Sequence, residues 1–229
     1  LCSSLISFGI AQCFGCQPTF YSLNLPFQLT PLLCHQLVIF ALLIATFSIL
    51  FVLMMHYSHK WFHQYFHNPY IRVLVGAALL MILVVFFKQR YLGAGMDVVE
   101  AALYQEVFPY DFFMKALFTA ITIGCGFKGG EIVPTFVIGS TLGYVLGLLL
   151  GMNPHLTAAI GIVGMFCCVI NSPLTSLMLG AEMFGIQYLT AMAIVVALCY
   201  VLSGYFSLYQ AQKIVYSKTS VEFINQNAK

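Results

Sequence analysis

The apolar residues of this chain come in blocks, separated by short polar stretches or by glycine and proline. Residues 36–56 and 71–87 are clear apolar spans, and 188–204 is the last full one. Residues 1–16 read as the end of another. Between them lie shorter blocks: 112–125 runs into glycines, 134–151 follows those glycines, and 156–170 stops at Asn171-Ser172-Pro173. Residues 174–184 are too few to cross a bilayer, since a membrane helix needs about 20 apolar residues. Residues 206–217 read as an amphipathic stretch and 219–229 as a polar tail.

The interruptions carry as much meaning as the spans. Irregular backbone at membrane depth persists only where protein or a water-filled cavity satisfies its polar groups. Short segments broken by Gly and Pro are the sequence mark of a transport site built from half-helices. The pattern therefore predicts an all-α integral membrane protein with broken helices. A receptor or a simple anchor would show longer, cleaner spans.

Composition agrees. The chain is 61% hydrophobic and 7% charged, with a mean hydropathy of +0.95. A soluble domain carries roughly 25% charged residues. The formal charge of +2, without a Lys/Arg-rich run, excludes a nucleic-acid partner. Most of the eight cysteines sit in apolar runs and read as small hydrophobes. Cys13 and Cys16 form a lone CxxC, a weak metal signal. Residues 1–16 lack a basic start and so do not read as a signal peptide. Leu1 stands where an initiating Met would, which reads as the middle of a longer protein. The basic residues are too few to orient the chain firmly; Lys60, Arg72, Lys213 and Lys218 mildly favour the cytoplasm for their loops.

Candidate chemistry concentrates in Gly124-Cys125-Gly126-Phe127-Lys128-Gly129-Gly130-Glu131-Ile132-Val133-Pro134. Glycine permits tight turns, and Pro134 suits the first turn of a helix. A helix therefore starts near 132–134. Its N-terminus offers unpaired N–H groups and a positive dipole end, which makes an anion site in a membrane interior. A tight helix crossing would use the same small residues. Lys128 and Glu131 add charge there, and an intramembrane ionisable group is a functional hypothesis by default. A nearby anion and desolvation both raise a carboxylate pKa, which would tie Glu131 to protons. The alternative is that Glu131 pairs with Lys128 or caps the helix.

These residues resemble a known family. Gly129-Gly130-Glu131-Ile132-Val133-Pro134 is similar to the Gly-x-Phe-x-Pro signature of the CLC chloride channels and transporters. Tyr91-Leu92-Gly93-Ala94-Gly95 resembles the glycine-rich entry to the family's second half. Asn171-Ser172-Pro173-Leu174-Thr175, followed by Glu182-Met183, is similar to another of its stretches. Tyr209 falls where the family places a tyrosine whose hydroxyl contacts the central anion. Two departures are informative. Ile132 stands where most members have phenylalanine, and Glu131 where chloride transporters have an apolar residue. A glutamate there is similar to the fluoride–proton branch.

The resemblance implies a CLC-like inverted-repeat architecture. Residues 1–35 would end the first repeat, 36–218 would form the second, and 219–229 would be the tail. The first repeat's gating glutamate and inner serine have no counterpart here. The implied function is fluoride export by fluoride/proton antiport. The alternatives are a chloride channel or chloride/proton exchanger of the family, or a non-transporting fragment. Gly130 and Ile132 would present N–H groups to the anion, Val133 would line the pore, and Tyr209 would donate its O–H. Glu131 would line the path and couple it to protons. The implied partners are fluoride or chloride, protons, the lipid bilayer and a second copy in a homodimer. The lack of a cytoplasmic domain suits a bacterial inner membrane.

Other features read as structural. His56, His59, His63 and His67 are spaced for one helix face, with Tyr57, Trp61, Phe62, Tyr65 and Phe66 between them. This predicts an interfacial helix extension without a metal site. Glu182 reads as a buried carboxylate satisfying a helix end or an N–H group. Phe112, Phe113, Phe118 and Phe127 read as packing residues. No nucleophile–base pair, paired carboxylates or phosphate loop is present, so neither an enzyme nor a cofactor is expected.

Overall fold

The computed structural model describes residues 2–16, 20–23, 25–218, 220 and 222–228. Leu1, Thr219 and Lys229, which bound the first segment and the polar tail, lie outside the described residues. In chain order come α1 (Cys2–Cys13), α2 (Pro31–Tyr65), α3 (Pro69–Phe87), α4 (Met96–Tyr104) and α5 (Asp111–Gly124). Then follow α6 (Ile132–Leu150), α7 (Pro154–Ile170), α8 (Pro173–Phe184) and α9 (Leu189–Leu202). Short 3-10 turns at Lys88–Tyr91 and Ile186–Tyr188 join α3 to α4 and α8 to α9.

Helix starts follow from local chemistry. Four helices begin on proline, whose missing N–H has no partner to lose in a first turn. The residue before the proline caps three of them. Thr30 accepts from Leu33 N–H at 3.2 Å, Asn68 from Tyr70 at 3.0 Å, and Asn153 from His155 at 3.1 Å. α6 closes on Gly151 and α7 on Asn171, both in the left-handed region that ends helices.

α2, the stretch Pro69–Tyr91 and α6 are long and apolar enough to cross a membrane. α5 and α8 have 14 and 12 residues, too few to cross alone, as broken helices require. On α3, Gly76 is the residue buried among those described, while Leu74, Met81, Val85 and Phe86 are exposed. Such an outer face suits hydrocarbon, where apolar exposure costs nothing.

α6 and α7 pack most closely. Glycines recur every four residues on α6, at 139, 143 and 147, and face Gly161, Ala158 and Thr157 of α7. Small residues let the two backbones approach, which is the main attraction between helices in lipid. α2 runs through the centre and buries Leu37, Phe40, Ala41, Ile44, Phe51 and Val52 against α5, α7 and α9.

Several expectations are corrected. α4 was not anticipated; a nine-residue amphipathic turn leaves little period to read. α2 carries the extension beyond residue 56 to Tyr65, but His67 falls in the break before Pro69. The 206–217 stretch is turns followed by a strand. Its strand β1 (Lys213–Tyr216) pairs antiparallel with β2 (Phe223–Asn227), matching Lys213 to Asn227 and Ile214 to Gln226. The tail thus adds a hairpin to an otherwise helical body. Glu182 is exposed, because the short α8 turns it outward.

Candidate anion site

The residue before α6, Glu131, has helix-like backbone angles (φ −97°, ψ −19°), and its side chain caps nothing. Its carbonyl accepts from the Thr135 hydroxyl at 2.8 Å and from the Thr135 N–H at 3.3 Å. Pro134 contributes no donor. Among the described residues, the N–H groups of Gly130, Ile132 and Val133 engage no acceptor. These are the free donors a helix start must expose. Gly130 and Ile132 are exposed and Glu131 is half-buried.

Neither structural alternative for Glu131 is present. The ion pair among the described residues is Arg90–Asp111, and the Glu131 carboxylate has no hydrogen-bond partner among them. Lys128 is exposed.

A cavity of about 560 Å³ opens beside this helix start. Gly129, Gly130, Val133 and Pro134 form one wall, and Thr119, Thr122 and Ile123 of α5 form another. The turn 91–94 and the buried Lys115 close it. A polar clamp that the sequence reading missed holds that turn in place. Asp111, fully buried, accepts from Arg90 at 2.9 Å, from the Tyr91 hydroxyl at 2.5 Å and from the Phe108 N–H at 3.1 Å. Lys115 Nζ donates to the carbonyls of Tyr91 and Gly93 at 3.1 and 2.8 Å. The available signal was Asp111 and Lys115, four residues apart at the start of an apolar run.

Tyr209 does not line this cavity. It lies at the same end of the α6–α7 pair, by two links. Phe136, in the first turns of α6, meets Phe166 near the end of α7 edge-on, with ring centroids 5.3 Å apart. The end of α7 then holds the Tyr209 turn: Val169 accepts from the Leu208 N–H at 3.1 Å, and Ile170 accepts from the Gln212 amide at 3.1 Å. The Tyr209 N–H donates to the Ser207 hydroxyl at 3.2 Å; the residue is 46% exposed, and its own hydroxyl makes no hydrogen bond among the described residues. α2 flanks the same region. Its His56 faces the backbone of Leu208, and its Ser58 donates to the carbonyl of Ala120 at 2.6 Å, packed against Gly124.

The histidines of α2 make local contacts. The rings of His59 and His63 lie 4.4 Å apart, and Arg72 Nη1 contacts His63 at 2.9 Å. Among the described residues no group of three His, Cys, Asp or Glu converges for a metal. His56 Nε2 is buried without a partner among them.

Broken helices, a glycine loop feeding a helix N-terminus and an apolar outer surface define an integral membrane protein. Comparison with known proteins makes the class specific. The family model described as "Voltage gated chloride channel" matches residues 1–204, and the chain belongs to that family, the CLC proteins. A chloride/fluoride channel protein of Pseudomonas syringae pv. tomato is 36% identical over 129 residues, covering 56% of this chain and 28% of that one. Uncharacterized protein MJ0305 of Methanocaldococcus jannaschii is 29% identical over 126 residues, covering 52% and 31%. A crystal structure of a CLC-type fluoride/proton antiporter superposes with a TM-score of 0.84 at 30% identity, over 88% of this chain and 51% of that one. A slow cyanobacterial Cl−/H+ antiporter shares the fold, with a TM-score of 0.73 at 17% identity, over 87% and 50%. The chain thus spans about half the length of those structures and a smaller share of the curated relatives.

Proposed function

We propose that this chain forms the second repeat of a fluoride/proton antiporter, with residues 36–218 as that repeat and its anion site at the start of α6. The observation that carries the reading is Glu131: a half-buried carboxylate at a helix N-terminus, with no cation or capping bond among the described residues to hold its charge. A carboxylate in that place repels an anion when ionised and admits it when protonated, so proton and anion occupancy become linked. The likeness to a CLC-type fluoride/proton antiporter, at 30% identity, supports the same branch.

In this reading the N–H groups of Gly130 and Ile132 and the hydroxyl of Tyr209 replace water around fluoride, and Val133 lines the path. Fluoride is small and strongly hydrated, so it needs several donors. Donors without a fixed cation bind it and still let it leave. The working unit is a homodimer in a bacterial plasma membrane, completed by a first repeat that supplies a gating glutamate.

The test is efflux from liposomes followed with fluoride- and chloride-selective electrodes, using the full-length transporter. Fluoride loss well ahead of chloride loss is expected. Equal rates would assign the protein to the chloride channels and exchangers of the family. An absence of flux for either ion would leave the non-transporting fragment as the reading.

A further inference from the structure

The C-terminal segment folds back and puts the amine of Lys218 into the end of the helix bundle. Nζ donates to the Tyr200 carbonyl at 2.7 Å, to the Ser203 hydroxyl at 3.4 Å and to Asn171 Oδ1. It lies 4.1 Å from the centroid of the Tyr200 ring. The acceptors belong to the ends of two helices. Asn171 closes α7, Tyr200 is in the last turn of α9, and Ser203 follows α9. A cation is favoured at helix C-termini, and the three N–H donors of an ammonium match three acceptors. The titratable groups facing it are the Cys167 and Cys168 thiols, the Tyr200 phenol, and Tyr205, whose hydroxyl accepts from the Lys218 N–H at 3.4 Å. Burial pulls the amine down to about 8, so it remains charged at neutral pH.

Asn171 uses its other amide atom on the Tyr209 turn: Nδ2 donates to the Phe206 carbonyl at 2.8 Å. One side chain thus joins Lys218 to the backbone that carries Tyr209. Burying an amine costs more than burying an apolar chain of the same length, which would anchor the hairpin as well. The amine adds what an apolar chain lacks: it donates to Asn171 Oδ1 and so favours the amide orientation that presents Nδ2 to Phe206.

We propose that Lys218 is a positioning residue for anion transport: through Asn171 it fixes the 206–209 turn and so the place of the Tyr209 hydroxyl. The inference rests on the role given above to Tyr209. A turn held less firmly presents its donor less often, which weakens anion binding more than it slows turnover.

The test is a mutant cycle on the full-length transporter in liposomes, measuring flux against anion concentration for both fluoride and chloride. For the Lys218→Met variant, the half-saturating concentration should rise about fivefold with maximal rate within about twofold of wild type. Lys218→Arg should restore most of the binding. The Lys218→Met/Tyr209→Phe double variant should match Tyr209→Phe alone, because both changes remove one donor. If Lys218→Met does not reconstitute, Lys218→Ala, which also lacks a donor, enters the same cycle with the same outcomes. Wild-type kinetics in the Lys218 variant, or effects that multiply in the double variant, would overturn the inference alone. A Tyr209→Phe variant indistinguishable from wild type would remove the Tyr209 reading and this inference with it. The cycle is read on whichever halide is carried, so a failure of fluoride preference registers separately.

Discussion

Gly139 and Gly161 bring the backbones of α6 and α7 into contact: a Cβ on Gly139 would stand 2.7 Å from the carbonyl oxygen of Gly161. The same Cβ would meet Met165 Cβ of α7 at 2.9 Å, and the reverse substitution meets the carbonyl of Gly139. α6 carries the candidate anion site at its start, and α7 carries the Tyr209 turn at its end. The spacing of this pair of helices therefore sets the distance between the start of α6 and the Tyr209 turn.

Gly161→Ala should force α6 and α7 apart and destabilise the protein by about 1–3 kcal/mol, the range for overpacking a close contact. Gly129→Ala, with nothing within 4 Å of the added Cβ, should be far milder. Thermal unfolding of the two variants in detergent compares them directly. Equal melting temperatures would show that the helices adjust without strain.

Asp111→Ala should cost about 3–5 kcal/mol, because it leaves the Arg90 guanidinium and the Tyr91 hydroxyl without their buried acceptor. The 88–95 turn should loosen with it. Limited proteolysis at that turn, alongside the melting temperature, checks the prediction. A variant with wild-type stability and an intact turn would count against the clamp.

Glu131→Gln should lower fluoride turnover by about tenfold or more and flatten its dependence on pH, since an amide cannot exchange a proton. Proton uptake followed with a pH indicator during fluoride efflux gives the coupling. Unchanged flux with unchanged coupling would end the role proposed for this residue.

Lys218 supplies a pH signature. Its pKa falls from 10.5 in the unfolded chain to about 8 in the fold. Between those values the unfolded state holds more protons, so stability should rise with pH from about 8 to 10.5. Below pH 8 the buried ammonium is a net cost. Melting temperature against pH, taken as the difference between wild type and Lys218→Met, isolates this group from the other groups titrating there. A difference that stays flat across the window would place the amine in solvent.

Much of the fold was legible because it is written locally. Thr30-Pro31, Asn68-Pro69 and Asn153-Pro154 set helix starts through one side-chain acceptor and one missing N–H. The glycine loop before Ile132 set the start of α6 within two residues of the expected position. α4 escaped because its amphipathic pattern lasts nine residues, and Glu182 was misplaced because an apolar neighbourhood in sequence says little about the facing of a short helix.

By itself the sequence determined the solvent in which this protein folds, most of the blocks that become helices, and the helix start that follows Glu131. These depend on composition and on contacts within a few residues, which leave a visible pattern. Only the tertiary structure decided that the Tyr209 turn rests on the end of α7 and that Lys218 reaches Asn171, 47 residues away. It also decided that Asp111 gathers Arg90 and Tyr91 from about 20 residues upstream. Hydrogen bonds across such separations impose no period on the chain, so they appear only when the helices pack.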